Sequence, residues 1–347
     1  MRIVSLAAVQ PSNDFDNSGY LDLIDRNLAE TGMADGERSH AIERLARIYD
    51  KAGSSHRRME PTPHRGHSMD LLRHAALQAL AEASRMPEDV DLIIYCSVAR
   101  GWMEPSSAAA AQAAIGAVNA SCFDVLEACA GWMRAVEIAD ALMRSGRYGN
   151  ALIVGVEAGM REVAIPRAGG FHLHDEHLAA FTIGESATAM LVEHDEAPPP
   201  EIDIRSDGRL HEVCMIPLPM AESFLLSEGP SPDPIRFVSH SERLFPAVMT
   251  PLIPLMRKRL AAPDAASIAL FIPHAASGKA SEAVRKALGI PAEKFLCGHA
   301  RFGNTVSMAM PTVLDFARRS GRIKPGDRVC FLVASAGISY GYGILTC

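Results

Sequence analysis

The sequence predicts an α/β protein made of two similar halves, and three observations carry that prediction. Its strongest strand candidates are continuous apolar runs rather than alternating ones, as at 92–96, 151–156, 268–272 and 329–334. Strands of that kind lie in sheets covered by helices on both faces. Helix-like runs stand between them. The tetrapeptide Arg-Ser-Gly-Arg occurs twice, at 144–147 and 319–322, each time between a helix-like run and a strand. Internal repetition of this sort marks a duplicated architecture.

The opening run with Ile3, Val4 and Leu6 reads as a strand, too short for a secretory apolar core. Residues 70–84 read as a helix, and Met86-Pro87-Glu88-Asp89 turns the chain into strand 92–96. The helix predicted over 129–143 closes near Gly146, where glycine supplies a left-handed cap, and leads into strand 151–156. The second half repeats this order with helix 241–260, the turn Ala262-Pro263-Asp264, strand 268–272, helix 305–318 and strand 329–334. A seam at Ala197-Pro198-Pro199-Pro200 divides the chain into halves 1–196 and 197–347.

At 347 residues the chain can hold two ordinary domains, or one large domain of two related halves. A composition 48% hydrophobic and 22% charged is that of a soluble globular protein. The formal net charge of -7 gives no basic footprint, so nucleic acid is not an expected partner. No apolar run approaches the ~20 residues of a membrane-spanning helix. Cysteines stand at 96, 122, 129, 214, 297, 330 and 347, an odd number without a CxxC pair. That argues against a disulfide framework and a structural zinc site, and for a reducing cytoplasm. Most, including Cys96, Cys297 and Cys330, lie in apolar strand-like runs and read as small buried hydrophobes.

Cys129 differs. It and Asn304 each stand fifteen residues before a copy of the tetrapeptide, which places both at equivalent strand-to-helix corners. A cysteine at a helix start meets unpaired backbone N–H groups and the positive end of the helix dipole, and both favour the thiolate. The small neighbours Ala128, Ala130 and Gly131 leave room for a substrate carbonyl, and equally suit close helix packing. His274 follows its strand at the carboxyl end, where ligand sites in parallel sheets gather. Asn304 is also a favoured N-cap residue. The turn Ser335-Ala336-Gly337 can aim backbone N–H groups at a substrate oxygen, completing an oxyanion hole with the N–H of Cys129.

These segments resemble a known family. Asp124-Val125-Leu126-Glu127-Ala128-Cys129-Ala130-Gly131 is similar to the nucleophile segment of the β-ketoacyl-acyl carrier protein synthase III group in the thiolase superfamily. Pro273-His274 and Gly303-Asn304-Thr305 resemble its other two motifs, and Glu104-Pro105-Ser106-Ser107-Ala108 and Arg322-Ile323-Lys324-Pro325-Gly326-Asp327 match further stretches. The resemblance implies a thiolase-like five-layered αβαβα fold of two pseudo-duplicated halves and a homodimer. It implies no cofactor, with coenzyme A or acyl carrier protein thioesters as substrates. Cys129 is then the acyl-holding nucleophile, with His274 and Asn304 stabilising the enolate left when a malonyl thioester loses carbon dioxide. Ala336 or Gly337 supplies the second oxyanion N–H. Lys51 and Lys279 fall near positions used for phosphates, and also read as plain surface lysines.

Several departures from the family pattern stand out. Its Pro-His-Gln-Ala-Asn reads Pro273-His274-Ala275-Ala276-Ser277 here, its Gly-Asp-Gly loop reads Ile183-Gly184-Glu185-Ser186, and an aromatic residue that stacks coenzyme A is missing near Arg47. These changes point from routine fatty-acid initiation toward a specialised pathway of polyketide or fatty-acid-like metabolites. Glu104 stands where typical members carry a bulky apolar residue that crosses the dimer interface into the partner's acyl pocket. A carboxylate is costly to bury alone, so Glu104 is expected to act as a base or bind a polar substrate group, unless its loop turns into solvent. The segment 171–177 is histidine-rich without a distant ligand pair, and no metal is expected there. Met215, Met220, Phe224, Leu225 and Leu226 are expected to line or cover an acyl tunnel, or to serve ordinary core packing.

The activity expected is a decarboxylative Claisen condensation of an acyl thioester with a malonyl-type or β-keto thioester. One alternative is acyl transfer to an alcohol or amine, with His274 as general base. Another is a non-catalytic partner subunit of a condensing-enzyme pair. A papain-like hydrolase matches the residue types but not the strand–helix repeat.

Overall fold

The computed structural model describes residues 1–159, 174–226 and 232–347. Its strands, in chain order, are β1 (Arg2–Val9), β2 (Asp14–Asp16), β3 (His56–Arg58), β4 (Leu92–Tyr95), β5 (Ser121–Asp124), β6 (Asn150–Glu157), β7 (Ser186–Glu193), β8 (Glu201–Ser206), β9 (Cys214–Met215), β10 (Val238–Ser239), β11 (Ile268–Pro273), β12 (Arg328–Ser335) and β13 (Ser339–Thr346). The helices are α1 (Asn17–Glu30), α2 (Asp35–Ala52), α3 (His67–Glu82), α4 (Ser107–Ile115), α5 (Gly131–Arg144), α6 (Ser241–Leu260), α7 (Gly278–Leu288), α8 (His299–Phe302) and α9 (Ala309–Arg319).

Two sheets organise the molecule. One has the order β1-β7-β6-β4-β5, the other β11-β12-β13-β8. In the first, β4 runs parallel to β5 and β6, while β7 runs antiparallel to β6 and β1. The second repeats this pattern, with β11 and β12 parallel and β13 antiparallel to β12. The apolar runs of the sequence are these central strands, and β4 is buried along its whole length. Helices α5 and α9 lie between the sheets. There the buried Trp132 of α5 meets Phe331 of β12 edge-on at 5.2 Å, and Met310, Val313 and Leu314 of α9 join the same core. Truncating so large a buried ring to alanine costs about 3–5 kcal/mol. Helix α3 covers the outer face of the first sheet through Leu72, Ala76 and Leu80. Helices α6 and α7 cover the second through Leu252, Met256 and Val284. The layers therefore stack as αβαβα. Cys297 departs from its strand-like reading: only an isolated bridge at Phe295 forms there, and Cys297 follows it in a loop.

The structure also corrects the register of the repeat. Residue pairs at one constant separation occupy matching places: Ile93 and Phe271, Asn150 and Arg328, Glu157 and Ser335. Ala128 and Val306 stand at that same separation, and both take left-handed backbone, with φ 43° and 47°. Each opens a 3-10 turn that leads straight into a helix, 128–130 into α5 and 306–308 into α9. By this register Cys129 corresponds to Ser307, not to Asn304. The tetrapeptide misleads because α9 is shorter than α5 by about one turn while the loop after it is longer. Both copies do end helices, at Gly146 and Gly321 in left-handed conformation.

Helix α6 carries Pro246, Pro251 and Pro254 in its interior. It nonetheless presents Leu244, Phe245, Val248, Met249 and Leu252 along one side, and these five line the central cavity.

Candidate active site

Cys129 is the middle residue of the 3-10 turn 128–130, fixed from both sides. Ahead of it, the Ser335 hydroxyl donates to the Glu127 carbonyl at 3.2 Å; behind it, the Ala130 N–H donates to Ser335 Oγ at 3.2 Å. The Glu127 carboxylate is held by Arg134 at 2.6 Å and accepts from the Ser339 hydroxyl at 2.7 Å. The turn of the first half thus rests on the end of β12 and the start of β13 from the second. Gly131 is small for packing rather than for substrate. A Cβ there would lie 2.5 Å from the carbonyl oxygen of Cys96.

Asn304 is pinned by backbone and side chain alike. Its N–H donates to the Thr182 carbonyl at 2.9 Å, and its own carbonyl accepts from the Gly184 N–H at 3.1 Å. This explains why the altered loop Ile183-Gly184-Glu185-Ser186 keeps a glycine: a Cβ on Gly184 would sit 2.1 Å from the Phe302 carbonyl oxygen. Asn304 Oδ1 accepts from the Val306 N–H at 2.9 Å. A backbone N–H can only donate, so the carboxamide orientation follows, and the Nδ2 group is the end left to meet a ligand. Asn304 caps the turn and lines the site at once.

His274 follows β11 directly, and its N–H donates to the Leu332 carbonyl at 2.8 Å. The residue is buried, and its Nδ1 has no hydrogen-bond partner among the described residues. Burial pushes its pKa down to about 4, with His299 adding to the effect and the Val306 backbone opposing it. His274 is therefore a neutral imidazole at physiological pH. Beneath it, His299 Nδ1 lies 2.9 Å from the Ala275 carbonyl and Nε2 lies 2.7 Å from the Ser54 hydroxyl. A ring nitrogen facing a carbonyl must carry the proton, so Nε2 accepts. His299 thereby steadies the loop that carries His274.

Cys129, His274 and Asn304 line one cavity of about 780 Å³ at the junction of the two halves. Beside the thiol, Val98, Ala99, Ile183, Ile216 and Val306 form an apolar cluster. Burial pushes the Cys129 thiol well above its ordinary range; Cys214 and Glu157 push the same way, and only its own backbone N–H opposes. Burial therefore works against the thiolate that a helix start favours. Cys129 sits in the turn before α5 rather than in its first helical turn.

The remaining expected residues divide. Ala336 lines the cavity, whereas Gly337, at φ 124°, is exposed on the hairpin between β12 and β13 and is not among the lining residues. Lys51, in the last turn of α2, lines the cavity. Lys279 begins α7, exposed, with its stem against Gly53, and the Ser277 hydroxyl ties the two helix ends together through the Ala52 carbonyl at 3.1 Å. Glu104 lies outside the cavity of its own chain, exposed beside the exposed Trp102 and Met103. Of the expected tunnel residues, Met215 lines the cavity, but Met220, Phe224 and Leu226 are exposed away from it. In the histidine-rich segment, 171–173 lie outside the described residues. Asp175 pairs with Arg44 at 2.5 Å, and His177 is buried against His174. No group of three or more metal-ligating side chains occurs among the described residues. Nor is any helix among them long and apolar enough to cross a membrane. The sequence reading missed Cys214, Ser307, His299 and Glu157. Only Glu157 left a signal, a carboxylate ending an otherwise apolar strand.

Comparisons with known proteins give the family. The family model of 3-oxoacyl-[acyl-carrier-protein (ACP)] synthase III matches residues 123–208, and its C-terminal counterpart matches 260–347. The β-ketoacyl-[acyl-carrier-protein] synthase III of Clostridium perfringens is 30% identical over 280 residues, 80% of this chain and 83% of that protein. Its namesake from Symbiobacterium thermophilum is 29% identical over 327 residues, 89% and 94% of the two chains. Among solved structures, 3-oxoacyl-[acyl-carrier-protein] synthase III of Aquifex aeolicus superposes with TM-score 0.77 at 22% identity, covering 100% of this chain and 99% of that one. A cysteine-to-serine variant of Xanthomonas campestris OleA, with bound lauric acid and lauroyl-CoA, superposes with TM-score 0.76 at 22% identity, covering 99% and 98%. These two likenesses concern the fold. With the family models and relatives, they place the chain in the 3-oxoacyl-[acyl-carrier-protein] synthase III family of thiolase-fold condensing enzymes, and it is an acyltransferase of the ketosynthase kind.

Proposed function

We propose that Cys129 takes an acyl group from a coenzyme A or acyl carrier protein thioester and condenses it with a malonyl-type thioester, in the making of a specialised polyketide or fatty-acid-like product. One observation carries the reading: a thiol, a neutral imidazole and a carboxamide with its donor end free line a single cavity. In the first step the Cys129 sulfur attacks the thioester carbonyl while its proton passes to a neutral acceptor, for which His274 is suited. The carrier thiol leaves, and the N–H groups of Cys129 and Ala336 hold the oxyanion meanwhile. In the second step the malonyl thioester loses carbon dioxide. His274 and the Asn304 Nδ2 group donate to the enolate oxygen, the enolate carbon attacks the acyl-cysteine, and the C–S bond to Cys129 breaks with its electron pair leaving on sulfur, which takes up a proton to restore the thiol. Simple acyl transfer to an alcohol or amine gives Asn304 no such task.

The apolar wall from α6 and the cluster around Val98 and Ile216 suits an aliphatic acyl chain. Lys51 and Lys279, at the adjoining ends of α2 and α7, suit the phosphates of the carrier. Trp102, Met103 and Leu126 are exposed apolar residues that fit a homodimer interface, and across it Glu104 would reach the partner's cavity rather than its own. Intact-protein mass spectrometry with a panel of acyl thioesters tests the first step, and release of labelled carbon dioxide from a malonyl thioester tests the second. An adduct on wild type that is absent from Cys129→Ala, with carbon dioxide released, is the expected result. An adduct without carbon dioxide would leave simple acyl transfer. No adduct with any donor would leave a non-catalytic subunit.

A further inference from the structure

Glu157 ends β6 wholly buried, and the mechanism above makes no use of it. Its carboxylate accepts from the N–H of Val98 at 2.9 Å, the N–H of Ala99 at 3.1 Å and the hydroxyl of Ser307 at 2.5 Å, with the Ser307 backbone adding a further contact. Each partner lies in or beside the site. Val98 lines the cavity and packs beside Cys129. Ser307 follows Val306, whose N–H fixes the Asn304 carboxamide and whose backbone flanks His274. Val306 is also β-branched at φ 47°, a conformation that persists only where its surroundings hold it.

The pseudo-twofold register shows what is unusual here. Ser335 occupies the equivalent strand end in the other half and grips the Cys129 turn from across the junction. Glu157 grips the Ser307 turn in the same crossed manner. A neutral hydroxyl suffices for the first grip. The second uses a carboxyl group, whose pKa burial raises while its aimed donors pull it back down. A plain structural peg does not call for an acid.

We propose that Glu157 is a positioning residue for condensation: it holds the Val98 wall and the Val306–Met308 turn in register around the Cys129 thiol. The inference rests on Cys129 being the acylated nucleophile. Burial chiefly holds the free thiol up, with Cys214 and then Glu157 adding to it, while burial raises the Glu157 carboxyl against the hydrogen bonds that pull it down. Replacing the carboxyl by a neutral amide therefore removes one contribution to the raised thiol while the condensing geometry worsens. A merely structural peg would not couple those two changes in opposite senses.

The experiment compares wild type, Glu157→Gln, Glu157→Asp and Ser307→Ala in three readouts: acyl adduct by mass spectrometry, condensation rate, and the pH dependence of Cys129 alkylation by iodoacetamide. Glu157→Gln is expected to slow condensation on the order of tenfold to a hundredfold, the scale of a small misplacement. Its alkylation midpoint should move down. Glu157→Asp should restore that midpoint without restoring the rate. Ser307→Ala should slow condensation roughly severalfold and leave the midpoint in place. Wild-type condensation in Glu157→Gln, or an unmoved midpoint, overturns the proposal. If that variant does not fold, a wild-type rate in Ser307→Ala overturns it instead. A wild-type protein that takes up no acyl group sinks the reading of Cys129, a separate failure.

Discussion

The two corners of this molecule share a backbone and differ in chemistry. Ala128 and Val306 open them with nearly the same left-handed turn, and a helix follows each. At the next position one corner carries Cys129, partly accessible from the cavity, and the other carries Ser307, wholly buried against Glu157. Duplication supplied two equivalent corners, and on the proposed reading their surroundings decide which one carries the nucleophile. The second corner instead became the frame for Asn304, which caps its turn from just upstream. Position within the fold does not make a site; access and neighbours do.

The largest test removes the thiol. Cys129→Ala should abolish the acyl adduct and lower turnover by about 10³-fold or more, whereas Ser307→Cys should gain no adduct at all, since the introduced sulfur would face Glu157 rather than the cavity. An adduct on that introduced sulfur would break the distinction between the corners. Next comes Asn304→Ala, which should cut condensation by about 10²–10³-fold while acylation of Cys129 proceeds near its normal rate. Equal losses in both steps would assign Asn304 to the turn alone.

Smaller effects follow from charge. With the pKa of His274 and His299 both lowered to about 4, the unfolded chain binds protons near pH 6.5 that the folded chain refuses. Stability should then fall as pH drops from about 6.5 toward 4, visible as a declining melting temperature, and no activity limb assignable to His274 should appear near pH 6.5. A melting temperature constant across that window would contradict the neutral assignment. Smallest of all, joint Lys51→Ala and Lys279→Ala should raise KM for coenzyme A thioesters by roughly severalfold, an effect that shrinks in high salt.

Much of this was legible in the sequence because burial writes a strong pattern. Strands sheathed on both faces must be apolar throughout, so β4, β6, β11 and β12 announced the layered fold. Cys129, His274 and Asn304 were readable since each stands at a strand end or helix start. The register was not. Arg-Ser-Gly-Arg marks where helices stop, and stopping points shift when a helix loses a turn, so the tetrapeptide pairs Cys129 with Asn304 instead of Ser307. The upward push of burial on the thiol also escaped, because the dipole is a local property while the cavity that opposes it is assembled from distant segments. Glu157 and His299 work through partners far along the chain, and no local motif flags such pairings.

The roof of the cavity has its own lesson. Pro246, Pro251 and Pro254 each deprive α6 of one rung of its backbone ladder, yet the apolar row above the substrate space hangs from this same helix. The opposite side is made of the ends of β11 and β12, which are paired residue by residue in their sheet. On the proposed reading, a longer or bulkier guest should be accommodated by bowing this ceiling rather than by moving the floor beneath Cys129.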